Sequence, residues 1–139
     1  MKVLGIGIDI IDNKRIKTSI KNSKFKNRIY SSKELKQSTL SGNKVNYFAK
    51  RFAAKEAFSK ALGTGFRKNL NYKDIEVIND KLGKPYYTKS KKITKLVQKN
   101  FKVNKFNCFL SISDEKDYST AFTIIQSIWN LIKIFSQKI

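Results

Sequence analysis

The chain has no histidine, one cysteine, one proline, one tryptophan and only ten acidic residues among 139. Each shortage removes a class of chemistry. Without histidine there is no Ser-His-Asp triad, no Cys-His pair and no histidine-ligated zinc or haem. Any general base is therefore a carboxylate, a lysine or a metal-bound water. One cysteine builds no disulfide framework, which fits a reducing compartment. Cys108 lies in the apolar run Phe106-Asn107-Cys108-Phe109-Leu110 and reads as a buried, inert thiol. No uninterrupted apolar run is long enough to span a bilayer. The apolar stretch after Met1 is too short and too glycine-punctuated for a signal peptide. The expected location is the cytoplasm.

What the chain has in excess is positive charge. Thirty basic residues against ten acids give a net charge of +20. Such a balance favours an acidic partner: nucleic acid, anionic membrane, acidic protein or a phosphorylated small molecule. Hydrophobic residues make up 40%, enough for a packed core, so the chain is no disordered basic tail. The length suits one domain.

Val3 to Ile11 reads as a strand. Leu4, Ile6, Ile8 and Ile10 share one face, and Gly5, Gly7, Asp9 and Ile11 share the other. A glycine next to Asp9 on its own face is expected to leave open space beside the carboxylate. Close packing of the strand on a helix is the plainer alternative. Asp12 or Asn13 can cap a helix to about Asn22, and a second short helix covers Phe25 to Tyr30. Ser31-Ser32-Lys33-Glu34 looks like another helix start. Ser38 to Lys44 reads as a loop.

Asn46 to Leu62 carries the clearest helical pattern, with Phe48, Phe52, Ala53, Ala57 and Phe58 at helical spacing and Gly63 as terminator. Glu56 and Lys60 stand one turn apart, as do Arg51 and Lys55. Alone, such pairs are ordinary surface ion pairs. Asp74 to Ile78 and Gly83 to Tyr87 read as short strands, with Pro85 marking an edge or a bulge. Ser90 to Asn100 is a basic helix. Asn107 to Ser113 and Tyr118 to Ile125 form a hairpin about an acidic loop. Ile125 to Ile139 is amphipathic if helical, with Ile125, Ile128, Trp129, Ile132 and Phe135 on one stripe, and 126–139 forms the tail. It is read as an extension of the domain formed by 1–125.

Several segments appear in a fixed order: Gly5-Ile6-Gly7-Ile8-Asp9, Arg15-Ile16, Phe25 to Arg28-Ile29, Arg51 to Gly65, Gly83-Lys84-Pro85 and Ser111-Ile112-Ser113. Together, over roughly residues 3 to 125, they resemble the acyl-carrier-protein synthase family of small phosphopantetheinyl transferases. The long 51–65 block is the specific part. The resemblance implies an α+β fold, an antiparallel sheet packed on a long helix, and a homotrimer with active sites between subunits. It implies transfer of the 4′-phosphopantetheine group of coenzyme A to a serine of an acidic apo acyl carrier protein. That transfer releases adenosine 3′,5′-bisphosphate and supports fatty acid and lipid synthesis. Magnesium is the implied cofactor.

Carried over by position, Asp9 and Glu56 match the two metal-ligating acids, and Lys60 matches the lysine at the diphosphate. Gly63 and Gly65 match the turn that lets the backbone approach coenzyme A. Pro85 and Arg28 match cofactor-side positions, with Lys55 or Arg51 as further cations for the leaving group. Arg15, Lys21 and Lys24 match the carrier-protein side. Asp114 stands where many members have histidine.

The chemistry of the residues agrees with this reading. Magnesium prefers hard oxygen ligands and takes one or two protein carboxylates. The attacking serine belongs to the partner, so the chain needs no nucleophile of its own. The proton acceptor is left open between Glu56 and a metal-bound water. A small basic nucleic-acid-binding protein of ribosomal type is the alternative. No RNP, KH or zinc-finger pattern supports it, and the aromatics follow core spacing.

Overall fold

A computed structural model describes residues 1–67 and 69–128. Of the stretch read as an amphipathic helix from Ile125, residues up to Ser127 instead extend the last strand, and 129–139 lie outside the described residues. The elements run β1 (Val3–Asp12), α1 (Asn13–Ser19), α2 (Ser23–Ile29), α3 (Ser32–Ser38) and α4 (Lys44–Leu62). A single 3-10 turn (Tyr72–Asp74) then leads to β2 (Val77–Asn79), β3 (Pro85–Tyr87), α5 (Lys91–Phe101), β4 (Phe106–Asp114) and β5 (Tyr118–Ser127). The expected α+β architecture is present, with an antiparallel sheet of order β1-β5-β4 lying on α4.

Local chemistry fixes the ends of these elements. Asp12 caps α1 by accepting from Lys14 N, and Asn22 caps α2 in the same way through Lys24 N and Phe25 N. The first helix, expected to reach about Asn22, stops at Ser19, and Asn22 caps the second. Ser31 and Glu34 form a reciprocal capping box, so the helix start read there is α3. Gly63 ends α4 in the left-handed region at φ 78°, a conformation that costs glycine little. Asp74, where the next strand was expected to begin, closes the 3-10 turn instead, and β2 begins only at Val77. Pro85 opens β3, which pairs with β2 alone in a two-stranded sheet.

The two faces of β1 meet different surroundings. Gly5 and Gly7 press against α4, where an added Cβ would overlap the carbonyl oxygens of Ala61 and Ala57. The space expected beside Asp9 at Gly7 is therefore filled by the helix backbone, and the plainer alternative holds for the glycines. Ala53, Ala54, Ala57 and Ala61 are all buried at this close approach. The opposite face carries Ile6, Ile8 and Ile10, 58%, 60% and 67% exposed. In register beside them stand Phe122, opposite Ile8, and Phe109, opposite Ile124.

Candidate active site

Asp9 lies late in β1, on the face turned to α4, opposite Ala121 of β5. The Gly7 contact sets how near that strand comes to the helix, and so brings Asp9 to Lys60, which stands one turn beyond Glu56 on α4. Lys60 Nζ donates to Asp9 Oδ1 at 3.0 Å and to the Ile8 carbonyl at 2.9 Å. The Lys60 side chain is 53% exposed and that of Asp9 15%. Glu56 is half-buried and accepts a 2.6 Å hydrogen bond at Oε1 from the Tyr72 hydroxyl.

Tyr72 ties the group together. Burial, the bond to Glu56 and the nearby charges of Glu56 and Asp9 all push its phenol well above the ordinary value, and Arg28 pulls the other way. It therefore stays a neutral donor through the working pH range. Of these groups Glu56 is the one in contact with the hydroxyl, and Asp9 and Arg28 act on it through their charge. The two carboxylates offer hard oxygen donors from two rigid elements, a set that fits a magnesium ion. No cluster of three or more metal-ligating side chains occurs among the described residues. Phosphate and water oxygens would complete such a shell, as magnesium sites commonly require.

Gly63 and Gly65 follow directly, both in the left-handed region and both with open space where a side chain would be. Beside them opens a cavity of about 480 Å³ between the post-α4 loop and α5, lined in part by Thr64, Asn69, Lys95 and Lys99. Arg15, Lys21, Lys24 and Arg28 are exposed on α1, α2 and the turn between them. Lys14, Arg15, Thr18 and Ser19 line a shallow depression on α1. Asp114 accepts from Asn46 Nδ2 at 2.9 Å and thereby ties the hairpin to the start of α4.

Two expected cofactor contacts need correction. Lys55 is fully buried and makes an ion pair with Glu34 Oε1 at 2.7 Å. Its remaining protons go to the carbonyls of Tyr72 at 3.0 Å and Ile75 at 2.5 Å. No donor is left for coenzyme A. Arg51 is 3% exposed, stacks 3.6 Å over the Tyr47 ring and donates to Asn79 Oδ1 at 3.1 Å. It joins α4 to β2 rather than to Asp9 and Glu56. Pro85 lies in the adjoining β3, half-buried. Sequence reasoning missed Tyr72 altogether. No spacing rule links a tyrosine on a 3-10 turn to a helix residue sixteen positions earlier.

Known proteins resemble the chain over nearly its whole length. A family model described as the 4′-phosphopantetheinyl transferase superfamily matches residues 5–123. A holo-(acyl-carrier-protein) synthase of Pelagibacter ubique is 60% identical over 126 residues, covering 91% of this chain and 98% of that protein. The crystal structure of a holo-(acyl-carrier-protein) synthase from Neisseria meningitidis superposes with a TM-score of 0.81 at 38% identity, covering 91% of this chain and 100% of that one. Another from Bacillus anthracis, in complex with CoA (3′,5′-ADP), gives a TM-score of 0.75 at 36% identity, covering 91% and 98%. With its antiparallel sheet on α4 and the matched motifs along β1 and α4, the chain belongs to the 4′-phosphopantetheinyl transferase superfamily.

Proposed function

We propose that the chain transfers 4′-phosphopantetheine from coenzyme A to a serine of an apo acyl carrier protein. The observation that carries this is the contact of Asp9 with Lys60, one helical turn beyond Glu56 on α4 and shortly before two open glycines. The serine oxygen of the carrier forms a bond to the β-phosphorus, and the bond from that phosphorus to the oxygen bridging to the α-phosphate breaks. Adenosine 3′,5′-bisphosphate leaves, and the serine proton passes to a base. Asp9 and Glu56 are the residues that hold magnesium, which when bound draws charge from the diphosphate oxygens.

The chain's own groups do the rest. Lys60 reaches Asp9 on a long, exposed stem, so its ammonium can turn to a phosphate oxygen and stabilise the leaving bisphosphate. Gly63 and Gly65 present bare backbone to coenzyme A. Arg15, Lys21, Lys24 and Arg28 form an exposed basic surface for an acidic carrier. Steering by that surface weakens as salt rises, since screening acts over about 8 Å at physiological ionic strength.

Intact-mass measurement of an apo carrier protein, with coenzyme A and magnesium, tests the reaction. The carrier gains the phosphopantetheine mass, and Asp9→Asn or Glu56→Gln abolishes the gain while the far-ultraviolet circular dichroism is unchanged. Full transfer in excess chelator would remove magnesium from the scheme.

The assembly we infer is a homotrimer. Its support is the uncovered apolar sheet face of Ile6, Ile8, Ile10, Phe109 and Phe122, a surface of the kind that marks an interface. Sedimentation equilibrium gives three chain masses on this reading, and a single-chain mass overturns it.

A further inference from the structure

Tyr72 is fixed at three points. Its carbonyl accepts from Lys55 Nζ at 3.0 Å, which ties its main chain to the buried Glu34–Lys55 pair. Its ring stacks on Phe66 at 3.7 Å and on Phe52 at 5.5 Å, with interplanar angles of 18° and 17°. Phe52 in turn stacks on Phe25 of α2 at 6.4 Å. Its hydroxyl donates to Glu56 Oε1 at 2.6 Å, the length of a strong bond to a charged oxygen. A side chain held at main chain, ring and tip has one position to offer.

Glu56 lacks such support of its own. Glutamate loses much rotamer freedom when ordered, and Glu56 is only half-buried. Tyr72 is the side chain that holds its carboxylate among the described residues. Resting on the reading that Asp9 and Glu56 hold a divalent cation, we propose that Tyr72 is the positioning residue for Glu56. It fixes one carboxylate oxygen and leaves the other to the cation. The order set at the buried ion pair thus reaches the site through a single ring. Lys55, which contributes nothing to coenzyme A directly, acts on its sequence neighbour Glu56 by this route.

Tyr72→Phe is the clean test, because it keeps the ring and the stack and removes only the hydroxyl. Manganese binding to the coenzyme A complex, followed by the paramagnetic resonance signal of free manganese, gives a readout independent of turnover. The apparent dissociation constant rises roughly tenfold, the scale expected when a group orienting a metal ligand is lost. The magnesium concentration for half-maximal transfer rises in parallel, and the Michaelis constant for the carrier stays put. The melting temperature moves little in Tyr72→Phe and falls in Tyr72→Leu, which also removes the stack. Wild-type manganese affinity in Tyr72→Phe, with loss only in Tyr72→Leu, would make Tyr72 a packing residue and end the proposal. Wild-type protein separates the two levels. Transfer that persists in chelator overturns the cation reading and this proposal together. Metal-dependent transfer with unchanged metal demand in Tyr72→Phe overturns this proposal alone.

Discussion

Helix α4 carries two lysines that pair with carboxylates from other elements, and the pairs have opposite characters. Lys55 and Glu34 meet at 2.7 Å with both side chains wholly buried. Lys60 and Asp9 meet at 3.0 Å with the lysine more than half exposed. Five residues separate the lysines, about 140° around the helix. One therefore faces α3 and the 3-10 turn, and the other faces the strand edge and solvent. The buried pair is saturated: Glu34 also accepts from Ser31 N and Val77 N, and Lys55 also donates to two carbonyls. The open pair has spare valence and a solvent-facing cation. Residue type and helix are the same, so burial divides the saturated pair from the open one.

The largest effect comes from breaking the buried pair. Lys55→Ala strands the Glu34 carboxylate and two carbonyls in the interior, at a cost of about 3–5 kcal/mol. Urea unfolding measures it. Pairing Lys55→Met with Glu34→Leu recovers much of the loss, because removing both charges together leaves neither unpaired. A Lys55→Ala variant as stable as wild type would erase the contrast between the two pairs.

Lys60→Ala is the matching change on the open side. An exposed pair contributes only about 0–1 kcal/mol, so the unfolding midpoint hardly shifts. Transfer falls roughly a hundredfold, the scale of losing one preorganised group that stabilises developing charge. Destabilisation comparable to that of Lys55→Ala, with transfer intact, would reverse the assignment.

The sequence showed the parts of this comparison unevenly. β1, α4 and the β4–β5 hairpin follow from strict periodicity, and each forms close to its expected limits. Asp9, Glu56 and Lys60 were singled out on family spacing, with helical spacing adding only the one-turn separation of Glu56 and Lys60, and of these the structure joins Asp9 to Lys60. The role of Lys55 was not legible. At the level of pattern it looks like Lys60, a cation on α4 near an acid. Its partner Glu34 lies 21 residues away, on a short helix whose docking no local rule determines. Tyr72 was hidden for the same reason. The glycine beside Asp9 was expected to leave open space, with close packing on a helix as the alternative; Gly5 and Gly7 in fact make room for α4, which is what brings Asp9 within reach of Lys60. Tertiary packing, not local propensity, decides each of these cases.

Lys89 and Cys108 supply a case between the two pairs and the smallest expected effect. Here a cation lies near a group that burial wants neutral. Burial outweighs the pull of Lys89, and the thiol is pushed up to about 11 from its ordinary 9.0. Lys89 meanwhile spends its ammonium on the Phe106 carbonyl at 2.6 Å. The sign of the pH effect follows from which state loses the proton first. The unfolded thiol ionises near 9.0, before the folded one, so the unfolded chain binds fewer protons across this window. The stability Cys108 contributes is full below pH 9 and is lost as pH rises through about 11. Tyrosines titrate over the same range, so the measurement is the difference in unfolding free energy between wild type and Cys108→Ala. That difference shifts against wild type by roughly 2 kcal/mol from about pH 8 to about pH 11. A difference that stays flat would mean Lys89 matches the desolvation of the thiol, and the site would then behave like the open pair rather than the buried one.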